Sequence, residues 1–247
     1  MKNNLLLLLI IISVLGGCKK DNKEPPQSML SGSVIVEGTK QPVGVASNRV
    51  QLELWQSGYA LFQKIPVHIN QDGSFSARLF DGQYKLVRLN GAPWANNPDT
   101  INIELKGSAT VEVPVKPFFT VGAETITFNA SDTSITGTFS VSSLDATKTA
   151  DRVSLHLGLT NFVDAVTNQI PLPAASNDKV PAADYLTAPS TIKVFLNPDR
   201  YPGSSTAELR RQLGVALNKG YLFARAAVRT GGVTERFYSQ VEQISLK

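Results

Sequence analysis

Apolar and polar side chains alternate singly through much of the chain, the period-two signature of strands with one face against a core. In Arg49-Val-Gln-Leu-Glu-Leu-Trp55, Val50, Leu52 and Leu54 share one face, while Gln51, Glu53 and Trp55 share the other. Similar runs occupy residues 31–37 and 64–70, with turn-forming Gly44, Ser57-Gly58, Gln71-Asp72-Gly73 and Asp81-Gly82 around them. Beyond residue 117 the pattern resumes at 124–128, 134–141, 152–159, 191–196, 221–229 and 236–246, and Gly231-Gly232 joins the last two runs. Only residues 204–217 change period. A Ser/Thr cap, apolar Leu209, Leu213, Ala216 and Leu217, and Gly220 as a stop predict one short helix there.

Many short strands with regular turns predict an all-β protein of two consecutive β-sandwiches, residues 30–116 and 117–247, each with its own core. Pro114-Val-Lys-Pro117 marks the seam, because a proline pair is poorly placed to pair across a shared sheet. The stretch 161–189 is rich in Pro, Ala and Asn and is expected to run over the surface.

The first residues follow a different pattern. A positive start, Met1-Lys2-Asn3-Asn4, leads into an apolar run from Leu5 to Leu15 broken only by Ser13, then Gly16-Gly17-Cys18. The run is short for a bilayer span of ~20 residues and fits the ~7–15-residue core of a secretion signal. Leu15-Gly16-Gly17-Cys18 resembles the lipobox of bacterial lipoproteins, which implies a signal peptide over 1–17 and lipidation of Cys18. Cys18 is also the single cysteine, so no internal disulfide is available. Residues 18–29 are polar around Pro25-Pro26 and read as a flexible tether. Lys19 after the cysteine resembles the sorting pattern for the outer membrane, and Lys20-Asp21 loosely resembles the export tag of surface lipoproteins.

Charge and motif content narrow the function classes. Net charge is +4 and charged residues are 18% of the chain, with no block of Lys and Arg of the kind nucleic acid requires. His68 and His156 each alternate with apolar neighbours in a strand pattern and read as structural. There is no His-Glu-x-x-His, no Cys pair and no Gly-x-Ser-x-Gly, so no catalytic residue, metal site or cofactor is assigned. Glu53, Asp99, Asp132 and Asp151 fall at solvent faces or turns by pattern, rather than as a catalytic carboxylate pair.

The remaining candidate is Gly91-Ala-Pro-Trp94-Ala-Asn96-Asn97-Pro-Asp99, a tryptophan among amides and an acid outside any strand pattern. Sugars offer C–H faces to an aromatic plane and hydroxyls to Asn and Asp, so Trp94, Asn96, Asn97 and Asp99 form a candidate glycan site. The alternative is that Trp94 folds back to close its own sandwich. Trp55, Tyr59, Tyr185 and Tyr201 are weaker candidates of the same kind.

Gly32-Ser-Val, Pro42-Val, Val50-Gln-Leu, Asp72-Gly-Ser-Phe75 and Gly82-Gln-Tyr-Lys-Leu86 together resemble the carboxypeptidase-regulatory-like, prealbumin-like domain. In that domain Tyr84 would be a core or corner aromatic and Asp72 a turn residue. Tyr-x-Phe-x-Arg-x-x-Val from Tyr221, followed by Tyr238-Ser239, resembles the last hairpin of a fibronectin-type-III or immunoglobulin-like sandwich. With the lipobox, the whole chain resembles a family of two-domain Bacteroidetes lipoproteins of unknown function encoded beside Sus-type glycan-uptake systems. The resemblance implies a setting beside a glycan-uptake system, and with the motif content above the expectation is a non-enzymatic accessory protein, lipid-anchored in the outer membrane at the cell surface or on the periplasmic face, with glycan and a Sus-type transporter complex as expected partners. A structural or adhesive surface module without a small ligand is the alternative.

Overall fold

A computed structural model describes residues 24–58, 63–167, 170–173, 178–179, 186–203 and 206–247. The signal segment, Cys18, Tyr59 and Tyr185 lie outside the described residues. Strands β1 (Ser28–Val36), β2 (Gln51–Gln56), β3 (Lys64–His68), β4 (Ser74–Leu79), β5 (Gly82–Arg88), β6 (Ile101–Leu105) and β7 (Ser108–Val115) build the first sandwich. Its two sheets have the orders β4-β1-β7 and β3-β2-β5-β6. The alternation in β2 is realised: Val50, Leu52 and Leu54 are buried and face the core. Tyr84 is buried as well and donates its hydroxyl to the carbonyl of Phe80 at 2.8 Å, tying β5 to the turn before it. Asp72 is a turn residue whose Oδ1 accepts from the Ser74 N–H at 3.0 Å.

The second sandwich contains β8 (Phe119–Asn129), β9 (Ser134–Ser143), β10 (Ala150–Gly158), β11 (Asp178–Lys179), β12 (Ser190–Phe195), β13 (Tyr221–Thr230), β14 (Arg236–Tyr238) and β15 (Glu242–Ser245). One sheet is β12-β9-β8, and the other is β11-β10-β13-β14 with β15 also paired to β13. Helix α1 (Ala207–Lys219) crosses between β12 and β13, capped by Thr206, whose Oγ1 accepts from the Leu209 N–H at 3.1 Å. It buries Leu209, Leu213 and Ala216.

The structure departs from the sequence reading in three places in the fold. The run 236–246 is two strands rather than one. Ser239 donates its N–H to the Ala226 carbonyl at 2.9 Å while its Oγ accepts the Ala226 N–H at 2.9 Å, which interrupts the pairing to β13 between β14 and β15. Glu53 is buried instead of solvated, because Lys64 on the neighbouring edge strand closes over it at 2.7 Å. The 161–189 stretch does not simply cover the surface. Val163, Asp164 and Ile170 are buried, and Ile170 donates to the carbonyl of Leu157 at 2.6 Å. The buried apolar side chains of the two sandwiches connect into one continuous cluster from Leu30 to Leu246.

Candidate functional site

Trp94 sits in the β5–β6 connection, which zips onto the segment between β7 and β8. Trp94 bridges Pro117, Ala95 donates to the carbonyl of Lys116 at 2.8 Å, and Phe118 donates to that of Pro93 at 3.2 Å. This pairing draws the indole into the core beside Phe118, leaving Trp94 only 3% exposed. The ring therefore has no open face for a sugar, which corrects its expected role. Tyr201 is likewise taken up by packing, its hydroxyl bonded to both backbone groups of Phe195 at 2.9 Å.

The polar partners proposed beside Trp94 do gather. Asn96, Asn97 and Asp99 line a cleft of about 380 Å³ together with Glu37, Arg88 and Lys116. Asn97 accepts the Asp99 N–H at 2.8 Å, which sets the turn. Arg88 forms the floor, donating to the carbonyls of Pro114 at 2.9 Å and Asp99 at 3.0 Å. Burial lowers the Arg88 pKa, and the charges of Asp99 and Glu37 oppose that shift. Across the rim, Lys116 and Glu37 pair at 3.3 Å. The cleft can satisfy hydroxyls, but its indole lies behind the wall.

A second constellation lies between the sandwiches. Gly44 bridges Tyr238, accepting its N–H at 3.0 Å, and a Cβ on Gly44 would stand 2.3 Å from the Tyr238 carbonyl oxygen. Only glycine permits this approach. Ser47 donates its N–H to Asp164 Oδ2 at 3.1 Å, while Oδ1 accepts from Val166 and Thr167. Arg225, fully buried on β13, reaches into this seam. Its guanidinium lies 4.2 Å from the Tyr238 ring centroid and donates to the carbonyls of Val45, Gln71 and Val163 and to Gln71 Oε1, each at 3.4 Å. Burial pushes the Arg225 pKa down to about 10 and that of Tyr238 up to about 12.

Two recesses flank this tie. One, of about 230 Å³, is lined by Arg49, Arg229, Arg236 and Glu235 among others. Its charges are largely spent internally: Arg49 pairs with Glu235, Arg229 with Asp151, and Arg236 donates to Ser154 Oγ. Ser154 and His156 beneath it are buried and bonded to each other at 2.9 Å. The other, of about 300 Å³, is lined by Gln71, Asp72, Asn161, Phe223, Gln240 and Gln243, with Val241 at its edge. Reading the sequence missed it because its residues come from four separate segments. Among the described residues no three His, Cys, Asp or Glu side chains cluster as metal ligands.

Residues 28–116 match the N-terminal domain of a family described as protein of unknown function DUF3823, and residues 121–243 match its C-terminal domain, a domain of unknown function. No curated protein matches the chain. A DUF3823 family protein from Bacteroides ovatus is 30% identical, with 89% of this chain and 100% of that chain covered and a TM-score of 0.69. One from Parabacteroides merdae is 28% identical, with coverages of 90% and 100% and a TM-score of 0.73. A Bacteroides uniformis protein, provisionally named as carbohydrate binding, shares the fold at 18% identity, coverages of 90% and 100%, and a TM-score of 0.68. With both domains matched in order over most of its length, the chain belongs to the DUF3823 family.

Proposed function

We propose that this protein is a non-enzymatic, lipid-anchored protein of the outer membrane, displayed at the cell surface, that binds glycan as an accessory to a Sus-type uptake system. The observation that carries the reading is the cleft over residues 96–99, whose wall offers two carboxamides, two carboxylates and a lysine as hydrogen-bonding groups. Hydroxyl-rich ligands are recognised by such convergent polar groups. The carbohydrate-binding name of the Bacteroides uniformis relative is in keeping with it. The anchor rests on the apolar run ending in Gly16-Gly17-Cys18. Two or three acyl chains, each contributing ~0.8 kcal/mol per buried methylene, would hold the protein stably.

A purely structural role is favoured by one observation, the buried tie at Arg225, which suits a rigid spacer. Membrane fractionation and glycan retention separate the readings. Cys18→Ser should move the protein from the membrane to the soluble fraction, and the parent should be retained by immobilised glycan. A Cys18→Ser variant that still travels with membranes would overturn the anchor. A parent protein that no glycan retains would leave the spacer.

A further inference from the structure

We infer that the recess between the two sandwiches is the primary sugar-binding site, with Phe223 as its stacking ring and an uncharged pyranose as its ligand. The inference rests on the glycan reading above and supplies what the 96–99 cleft lacks, an accessible ring. Phe223 is half-buried on β13, and its partner on β10 is Gly158, which has no side chain to cover it. On the other side its partner is Gln243 of β15. Tyr221, two residues away on the same face, holds the ring edge-on with centroids 5.9 Å apart. Such a T-shaped pair restrains the orientation of Phe223, which is among the residues that line the recess.

Around this ring the recess supplies groups for hydroxyls. Asn161, Gln240 and Gln243 are exposed, and their carboxamides take no part in the hydrogen bonds that hold the seam. Asp72 uses Oδ1 for its own turn, which leaves Oδ2 for a ligand. Gln71 is committed: it donates to the carbonyl of Asn161 and accepts from Arg225, so the wall is fixed before any ligand arrives. Both sandwiches contribute, Asp72 from the first and Phe223, Gln240 and Gln243 from the second. The volume of about 300 Å³ lies at the lower end of the ~300–1,000 Å³ range for small-ligand sites, as suits a short saccharide segment.

The charge of the wall selects among sugars. Among the described residues its one ionic side chain is Asp72, and the nearby cation, Arg225, is sealed beneath it and cannot reach a ligand. A uronate or sulfated sugar would face a carboxylate with no cation among the described residues of the wall, so neutral pyranoses are favoured.

The test is an array of neutral and acidic oligosaccharides probed with the full chain in detergent, alongside Phe223→Ala, Gln243→Ala and the double variant Asn96→Ala/Asn97→Ala. The parent should bind neutral glycans. Loss of a stacking ring should weaken binding about thirtyfold, and loss of the Gln243 carboxamide about three- to tenfold. The double variant, which strips two hydroxyl-bonding groups from the 96–99 cleft, should weaken binding less than Phe223→Ala does. Melting temperatures guard the comparison; if Phe223→Ala fails to fold, the exposed Gln243→Ala decides. Binding that survives both seam variants but is lost in the double variant would overturn the seam site and leave the glycan reading standing. Preference for acidic glycans would overturn the ligand class. A parent that binds nothing on the array would overturn both.

Discussion

Replacing Arg225 with alanine tests whether the two sandwiches are tied by a buried cation. Three terms act against the variant. The guanidinium stacks 4.2 Å from the Tyr238 centroid out of water, an interaction worth about 2 kcal/mol. The carbonyls of Val45, Gln71 and Val163 lose a donor; their 3.4 Å bonds are long, so the lower figure of about 1 kcal/mol each applies. Removing the long stem leaves a void costing at least about 2 kcal/mol. One term acts in its favour: a pKa lowered from 12.5 to about 10 means that burial costs the cation on the order of 3 kcal/mol. The net loss expected for Arg225→Ala is therefore about 4 kcal/mol. Arg225→Met keeps most of the volume and should lose about 2 kcal/mol. Urea unfolding of the full chain at neutral pH measures both. If both variants were within about 0.5 kcal/mol of the parent, the guanidinium would not be a tie. If methionine cost as much as alanine, the void term would be wrong.

Trp94→Ala should lower stability by about 3–5 kcal/mol, read as a fall in melting temperature, while leaving glycan retention intact wherever the variant is folded. Tyr238 gives a prediction in pH. Its folded pKa of about 12 lies above the ordinary 10, so the stability it contributes, on the order of 3 kcal/mol, is present below pH 10 and is lost as pH rises through 12. Arg225, shifted the other way, gains stability over the same window, so the pair largely offsets. Tyr238→Phe should cost about 1 kcal/mol at neutral pH, for the bond from the Ala165 N–H, yet gain on the parent between pH 10 and 12. Urea midpoints at pH 9 and 11 that moved in parallel for the two proteins would refute this.

Local rules were legible in the sequence and distant pairings were not. The β2 alternation, the helix ending at Gly220 and the Asp72 turn depend on neighbours within a few residues, and each is found. Trp94 looked free because no strand pattern claimed it, but the segment that buries it, 116–118, lies more than twenty residues on. Asn96, Asn97 and Asp99 are legible because amides and an acid in a proline-flanked loop stay at the surface, and they line a cleft. The seam recess needed Asp72, Asn161 and Phe223 brought together, which no spacing reveals. One signal was available: Ala224-Arg225-Ala226-Ala227-Val228 sets a lone arginine among small apolar residues, and a cation in such company is committed to a buried partner.

The order β4-β1-β7 also sets how the first sandwich responds to force. The chain enters at the start of β1, and it leaves for the second sandwich from the end of β7, the parallel neighbour paired with β1 from Met29–Ser108 to Val36–Val115. A pull between the two ends drags these strands in opposite directions along their length. Every bond of the ladder is then loaded in shear at once, instead of being peeled one by one from an edge. Resistance to such a load is a matter of unfolding rate rather than of equilibrium stability. A protein tethered at its N-terminal side and gripping a ligand farther along would thus carry tension through the strand pair best disposed to bear it.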